Sequence, residues 1–366
     1  MTTLRDKPAL DQPALIREIR INPIVPSESV LVATARGLRP KKAEQHVPRD
    51  TRVHVETCPF CSGNEKMTPP EIARYSAGNE WQVRIVENLY PVLGDDHHSP
   101  DFSFGLQQTI DGYGRHEVIV DHANHGISVH EMSEAHLAML FGAYRDRMKQ
   151  LYESDDRLRY VLVFKNFGPA AGGSIPHTHS QIIAMPVVPE NVQAEVRCSG
   201  EYYAQHHRCV FCSLIDEALT FEATIYDRES GEVRRRLDVG QYVIERSEYF
   251  IAIKPFASRY EWEVHILPIV HQADFQRISE AELAELGNIL KSTMARLEAV
   301  LGGVQYNYFL HTKPHHANHA VDSSYHWHLE ICPRTSIPTG FELGAGLSVN
   351  TVSPEWAASQ LRNVTI

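Results

Sequence analysis

Two Cys-x-x-Cys pairs, Cys58/Cys61 and Cys209/Cys212, are each followed at a distance by a lone histidine and then by a His-x-His. His125 and His177-Thr178-His179-Ser180-Gln181 complete the first set, and His271 and His326-Trp327-His328-Leu329-Glu330 the second. Thiolate sulfur and neutral imidazole are the ligands tetrahedral zinc prefers, and two of each close a structural site. The pattern therefore predicts two Zn²⁺ sites: Cys58, Cys61, His125 and His177 in one, and Cys209, Cys212, His271 and His326 in the other. Counterparts lie 151, 146 and 149 residues apart (209 − 58, 271 − 125 and 326 − 177). So even an offset over so long a span marks a duplicated unit, with chemistry expected where the copies differ.

They differ around the second histidine of each His-x-His. In the first copy the run NFGPAAGGSIP precedes His177, and Gln181 follows two residues after His179. On an extended segment residues two apart share a face, so a metal on His177 holds His179 close to it. Glycine has no Cβ and lets backbone amides approach an anion. Asn166, Gly172, Gly173 and Ser174 thus have the composition expected around a phosphate. A free imidazole with a pKa of about 6.5 is mostly neutral at pH 7 and nucleophilic without further tuning. His179 is therefore predicted to attack phosphorus, with Ser174 and Gln181 hydrogen-bonding the phosphoryl group. The second copy has no Gly-Gly-Ser run, and Leu329 and Glu330 follow its His328. One active site per two repeats is expected.

The elements that must hold these residues are legible as periodicity. Strands are predicted at 83–86, 117–120, 160–165 and 181–185 in the first half, and at 250–254, 263–267, 305–311 and 327–332 in the second. A further strand pair is expected from Glu18 to Arg36. Two amphipathic helices begin after Ser133 and Ser279, residues again 146 apart (279 − 133), and Glu282 completes a capping box at the second. The fold class is α+β: two similar repeats, each a mainly antiparallel sheet with one long helix. The domains are read as 1–198 and 199–366, with residues 186–200 as the crossing.

Composition limits the partners. Lys+Arg 35 against Asp+Glu 46 leaves a net charge of −11, which argues against a nucleic-acid-coating surface. A zinc-finger module is also excluded, because each ligand set spans more than a hundred residues instead of roughly thirty. No run of about 18 apolar residues occurs, and the opening MTTLRDKPALDQPALIREIR has no apolar signal-like core. A cytoplasmic protein with no membrane partner, whose reduced thiols hold metal, is the expectation.

The segments RINPI, VLVATARGLRPKK, CPFCSGNE, VRIVENLYP, NFGPAAGGSIPHTHSQ and GFELGAG…NTVSPEWAASQLR together resemble the galactose-1-phosphate uridylyltransferase family of the histidine-triad superfamily. The resemblance runs from about Glu18 to Arg362. It implies a ping-pong reaction in which His179 takes a uridylyl group from a UDP-sugar, expels a hexose 1-phosphate, and passes UMP to a second hexose 1-phosphate. It also implies a homodimer. By the same resemblance Arg36 and Arg39 contact phosphate, often across the dimer interface, and Asn88 contacts the nucleotide. Asn166, Ser174 and Gln181 surround the transferred phosphoryl, and Glu342 binds sugar hydroxyls.

There are departures from the family pattern. Thr178 stands where the family most often has proline. Some relatives hold a second metal with one Glu and three His, an arrangement Glu195, His326 and His328 would mimic. Lys313 lies in an inserted segment, and Ser336–Pro338 occupy the place of a lysine usual before the C-terminal motif. An ADP-glucose or dinucleotide phosphorylase of the same superfamily, with inorganic phosphate as acceptor, would use the same His179 intermediate.

Overall fold

The computed structural model of the chain describes residues 15–38, 49–95 and 101–366. Arg39 falls outside that range. Ten strands form one continuous sheet: β1 (Glu71–Ala77), β2 (Glu80–Glu87), β3 (Arg115–Val120), β4 (Tyr160–Phe167), β5 (His179–Met185), β6 (Val243–Arg246), β7 (Phe250–Ile253), β8 (Val264–Pro268), β9 (Tyr306–His311) and β10 (His328–Pro333). Their spatial order is β6-β7-β8-β10-β9-β4-β5-β3-β2-β1, and every neighbouring pair is antiparallel. Read outward from the middle, the halves are the same: strand n of the first repeat matches strand n + 5 of the second. The repeats meet where β4 pairs with β9, from Tyr306 opposite Phe167 to Leu310 opposite Val163. The duplication thus closes into a single α+β sheet, and position 198 lies within helix α2 (Glu190–His206).

All eight strands predicted in the repeats are present, shifted or extended by a few residues. So is the N-terminal pair, Arg17–Arg20 with Val30–Ala33, which Ser348–Asn350 extends in parallel. The two long helices, α1 (Glu134–Ser154) and α4 (Glu280–Leu301), begin where their caps predict. Ser133 Oγ accepts from the His136 amide, and Ser279 with Glu282 forms a reciprocal capping box. Their apolar faces, including Leu137, Phe141, Tyr144, Leu283, Leu286 and Leu290, are buried in one core against the same side of the sheet. A close crossing is possible because position 287 is glycine: a Cβ there would sit 3.0 Å from Leu137 Cβ and 3.1 Å from the Ala138 amide. Helix α2 and helix α3 (Val210–Thr220) were not foreseen. From residue 190 on the expected crossing is helical, within α2, and the second Cys-x-x-Cys caps and enters α3. No helix among the described residues is long and apolar enough to cross a membrane.

Candidate active site and metal centres

Strand alternation divides β5 between two environments. Ser180, Ile182 and Ala184 face the helices, where Ser180 Oγ meets Tyr144 Oη at 2.6 Å, while His179 and Gln181 face the other side. On that side the first Cys-x-x-Cys turn places Cys58 and Cys61 against His125 and His177. Cys61 Sγ lies 3.4 Å from His125 Nδ1 and 3.6 Å from His177 Nδ1, and Cys58 Sγ lies 3.6 Å from His177 Nδ1. Zn–S bonds of about 2.3 Å and Zn–N bonds of about 2.05 Å at the tetrahedral angle put sulfur and nitrogen about 3.6 Å apart. The donor set therefore has the dimensions of a tetrahedral zinc site.

The other nitrogen of each ring faces an oxygen. His177 Nε2 donates to the His122 carbonyl at 2.7 Å, and His125 Nε2 lies 3.3 Å from Asp50 Oδ2. Burial holds the His177 pKa down at about 4, which keeps the imidazole neutral, as metal ligation requires. The second set repeats the plan. Cys212 Sγ is 3.3 Å from His271 Nδ1 and 3.7 Å from His326 Nδ1, Cys209 completes the cluster, and the Nε2 atoms donate to Asp322 and Pro268 carbonyls.

His179 Nδ1 sits 2.8 Å from the His177 carbonyl oxygen. A carbonyl can only accept, so Nδ1 carries the proton and Nε2 keeps its lone pair. The ring is 8% exposed and opens on a cleft of about 750 Å³ shared with Phe60, Asn88, Tyr90, Ser174 and Gln181. Burial, with a further contribution from the Lys165 ammonium, lowers the His179 pKa below its ordinary value. The imidazole is neutral at pH 7.

His116, which the sequence did not single out, orients Gln181. Its Nδ1 accepts from the Val92 amide at 3.2 Å, so its Nε2 proton goes to Gln181 Oε1 at 2.8 Å. The Gln181 amide NH₂ is thereby left as a donor toward the cleft. Asn88 is held through its Oδ1, which accepts from the Tyr90 amide at 2.9 Å.

The Gly-rich loop is held by the second repeat. Asn307 Nδ2 donates to Asn166 Oδ1 and to the Ala171 carbonyl, both at 2.8 Å, and the Ala170 amide donates to Gln305 Oε1 at 2.7 Å. A Cβ at Gly173 would meet the Asn166 carbonyl at 2.8 Å, and Gly172 has φ +82°, so both glycines are required by the turn. The turn delivers Ser174 to the cleft, while Asn166 serves as its anchor. Arg36 is exposed and Glu342 half-buried, and neither lines the cleft of its own chain. The Glu342 carboxylate accepts from the Thr339 amide at 2.6 Å, capping a short helix.

The second copy shows what the substitutions do. His328 Nδ1 faces the His326 carbonyl at 3.1 Å, just as His179 does its own counterpart. Its Nε2, however, lies 3.4 Å from Glu330 Oε1 and 3.9 Å from Glu195 Oε1. Burial opposes charge on this ring, but the two carboxylates outweigh it and raise its pKa. Glu330 also pairs with Arg259. Glu195 and His328 therefore belong to a buried group with His311 and Glu330, while His326 turns to the Cys pair. Lys313 pairs with Asp322 at 2.5 Å, away from the phosphate loop.

With this geometry in view, comparison with known proteins is specific. Residues 9–189 match the model of galactose-1-phosphate uridyl transferase, N-terminal domain. ADP-glucose phosphorylase of Arabidopsis thaliana is 30% identical over 352 residues, covering 95% of this chain and 93% of that protein. Galactose-1-phosphate uridylyltransferase of Thermotoga maritima is 26% identical over 356 residues, covering 95% and 99%. Among solved structures, the Arabidopsis ADP-glucose phosphorylase with bound ADP-glucose superposes with a TM-score of 0.79 at 28% identity, covering 96% of this chain and 100% of that one. A uridylyltransferase structure follows at 0.69 and 25% identity, covering 94% and 97%. The chain belongs to the galactose-1-phosphate uridylyltransferase family and is a nucleotidyltransferase.

Proposed function

We propose that the chain transfers a nucleoside monophosphate from a nucleoside diphosphate hexose to a phosphate acceptor through Nε2 of His179. One observation carries this reading: Nδ1 of that ring is committed to the His177 carbonyl, so a neutral nitrogen lone pair faces a cleft edged by a glycine-built turn. The lone pair attacks the α-phosphorus, the bond to the bridging oxygen breaks, and the hexose 1-phosphate leaves with the electron pair. An oxygen of the acceptor phosphate then attacks the same phosphorus and the imidazole departs neutral, its Nδ1 proton never having moved. Ser174 and the Gln181 amide donate to the phosphoryl oxygens as charge builds. Cys58, Cys61, His125 and His177 would hold one zinc, which would fix His177 and with it the carbonyl that sets the His179 tautomer, and Cys209, Cys212, His271 and His326 would hold a second that braces the other repeat.

ADP-glucose as donor and inorganic phosphate as acceptor form the first reading, supported by the 30% identical phosphorylase and by the TM-score of 0.79 to the form holding ADP-glucose. UDP-glucose with a hexose 1-phosphate acceptor is the second, supported by the family match over 9–189 and by the uridylyltransferase relatives. A homodimer is part of either reading, with Arg36 and Glu342, outside their own cleft, reaching toward the partner's. Exposed Tyr90, Phe104 and Leu106 offer apolar surface for such contact.

The test is to incubate the zinc-loaded protein with ADP-glucose or UDP-glucose labelled in the nucleotide and to measure acid-labile label on protein. Label from ADP-glucose supports the phosphorylase; label from UDP-glucose alone moves the assignment to the uridylyltransferase. No label from either sinks both.

A further inference from the structure

Lys165 and Asp121 are both 0% exposed and form an ion pair directly behind the nucleophile. Lys165 Nζ also donates to Thr178 Oγ1 at 2.7 Å and to the His179 carbonyl at 3.0 Å. Asp121 holds the same segment from the other side: its amide donates to the Thr178 carbonyl at 3.2 Å, and its Oδ2 accepts from Ser180 Oγ at 3.1 Å. Its own carbonyl is pinned by His136 Nε2 at 2.6 Å. Lys165, on β4, and Asp121, just past the end of β3, thus hold residues 178–180 through both main-chain and side-chain hydrogen bonds.

The second repeat is an internal control on whether the fold needs this. Ser180 pairs with Ile119, and Leu329 with Ile266; Gln181 pairs with Phe164, and Glu330 with Phe309. Ser180 thus corresponds to Leu329; one residue on from Phe164 and Phe309, Lys165 corresponds to Leu310, and two residues from the matched positions Asp121 corresponds to Pro268 and Thr178 to Trp327. All four counterparts are apolar and buried. The same sheet therefore stands without the pair. Removing two ions from water costs several kcal/mol each, and apolar residues of similar size are commonly at least as stable. A charged pair kept only behind the histidine with a free Nε2 is better explained by what it does to that histidine.

We infer that the Lys165–Asp121 pair is a positioning device for His179, holding the 178–180 backbone so that Nε2 stays aimed into the cleft. Thr178 takes part through its hydroxyl, doing by hydrogen bonding what a proline between the two histidines would do by fixing φ. The inference rests on the reading of His179 as the nucleophile.

Its test uses the zinc-loaded protein and the double variant Lys165→Met/Asp121→Asn, which removes both charges without leaving one buried and unpaired. Displacement of a nucleophile by a fraction of an ångström to one ångström lowers its rate by about 10- to 100-fold. The expected result is a fall of that size in the rate of label transfer from the accepted nucleotide sugar, with KM and bound zinc unchanged. Adding Thr178→Pro should recover most of the loss. A double variant that labels as fast as the parent overturns the inference, as does slow labelling that Thr178→Pro leaves untouched. Loss of zinc along with labelling would make the pair merely structural and also overturns it. Failure of the parent to label with either nucleotide sugar is a different result, and refutes the reading of the site itself.

Discussion

Gln181→Glu copies the second repeat into the first and should silence the site by protonating it. In the second repeat the carboxylate of Glu330 stands 3.4 Å from His328 Nε2. A unit charge pair at that distance, with an effective dielectric constant of about 20, interacts by about 5 kcal/mol, or about 3.5 pKa units. Gln181 is half-buried, so solvent screening leaves a fraction of that energy, and the direction of the effect is upward. In the parent, burial holds the His179 pKa below its usual value, so the nucleophile is neutral at pH 7 and is lost only as the pH falls further. A raised pKa moves that acid limb upward, through neutrality. Labelling by the accepted nucleotide sugar should therefore fall at a pH where the parent still labels fully, and return as the pH is raised. Gln181→Met is the control: it removes the amide donor without a charge, so its rate falls while its acid limb stays in place. Single-turnover labelling from pH 5 to 9 measures all three proteins. Coincident acid limbs for the Glu and Met variants would refute the electrostatic account of why the second histidine is silent.

Three further outcomes follow from the same geometry. His179→Gly should abolish labelling while both zinc ions remain bound, whereas His177→Ala should lose one zinc per chain; metal analysis beside the labelling assay separates the two, and zinc loss from His179→Gly would make that residue a ligand. Because structural zinc contributes on the order of 10 kcal/mol, His177→Ala should also melt well below the parent by calorimetry. Arg147→Ala strips both hydrogen bonds from Glu117, which is 1% exposed, and should cost about 3–5 kcal/mol in denaturant unfolding without slowing label transfer in the folded fraction.

Much of this protein was legible before any coordinates. Chemistry written as residue type and spacing survives translation into structure because it is local or repeated: Cys-x-x-Cys turns, a His-x-His, a Gly-Gly-Ser loop, serine caps 146 residues apart. The strands of the repeats alternate or run apolar over enough residues to be found, and the two long helices carry both a stripe and a cap. Helices α2 and α3 were missed because Pro186–Gly200 reads as a linker and because Cys209 and Cys212 drew attention as ligands rather than as the start of a helix. The strands at 71–77 and 243–246 lie at the two edges of the sheet, where half-exposed residues blur the period.

What the sequence determined by itself was the inventory: two metal sets, one loop suited to phosphate, one duplicated unit, and a family. Only the tertiary structure decided the states of those groups. His179 and His328 have the same neighbours two residues back and the same bond to a main-chain oxygen, yet one faces an amide and the other a carboxylate. The sequence held a lone lysine in an apolar strand, Tyr160–Phe167, as its one hint of the pair behind the nucleophile. Its partner Asp121 lies 44 residues away, and His116 and Asn307 reach the site from further strands. Protonation and aim depend on separations of a few ångströms between such distant segments, and these are set by strand pairing, which leaves no local trace in the chain.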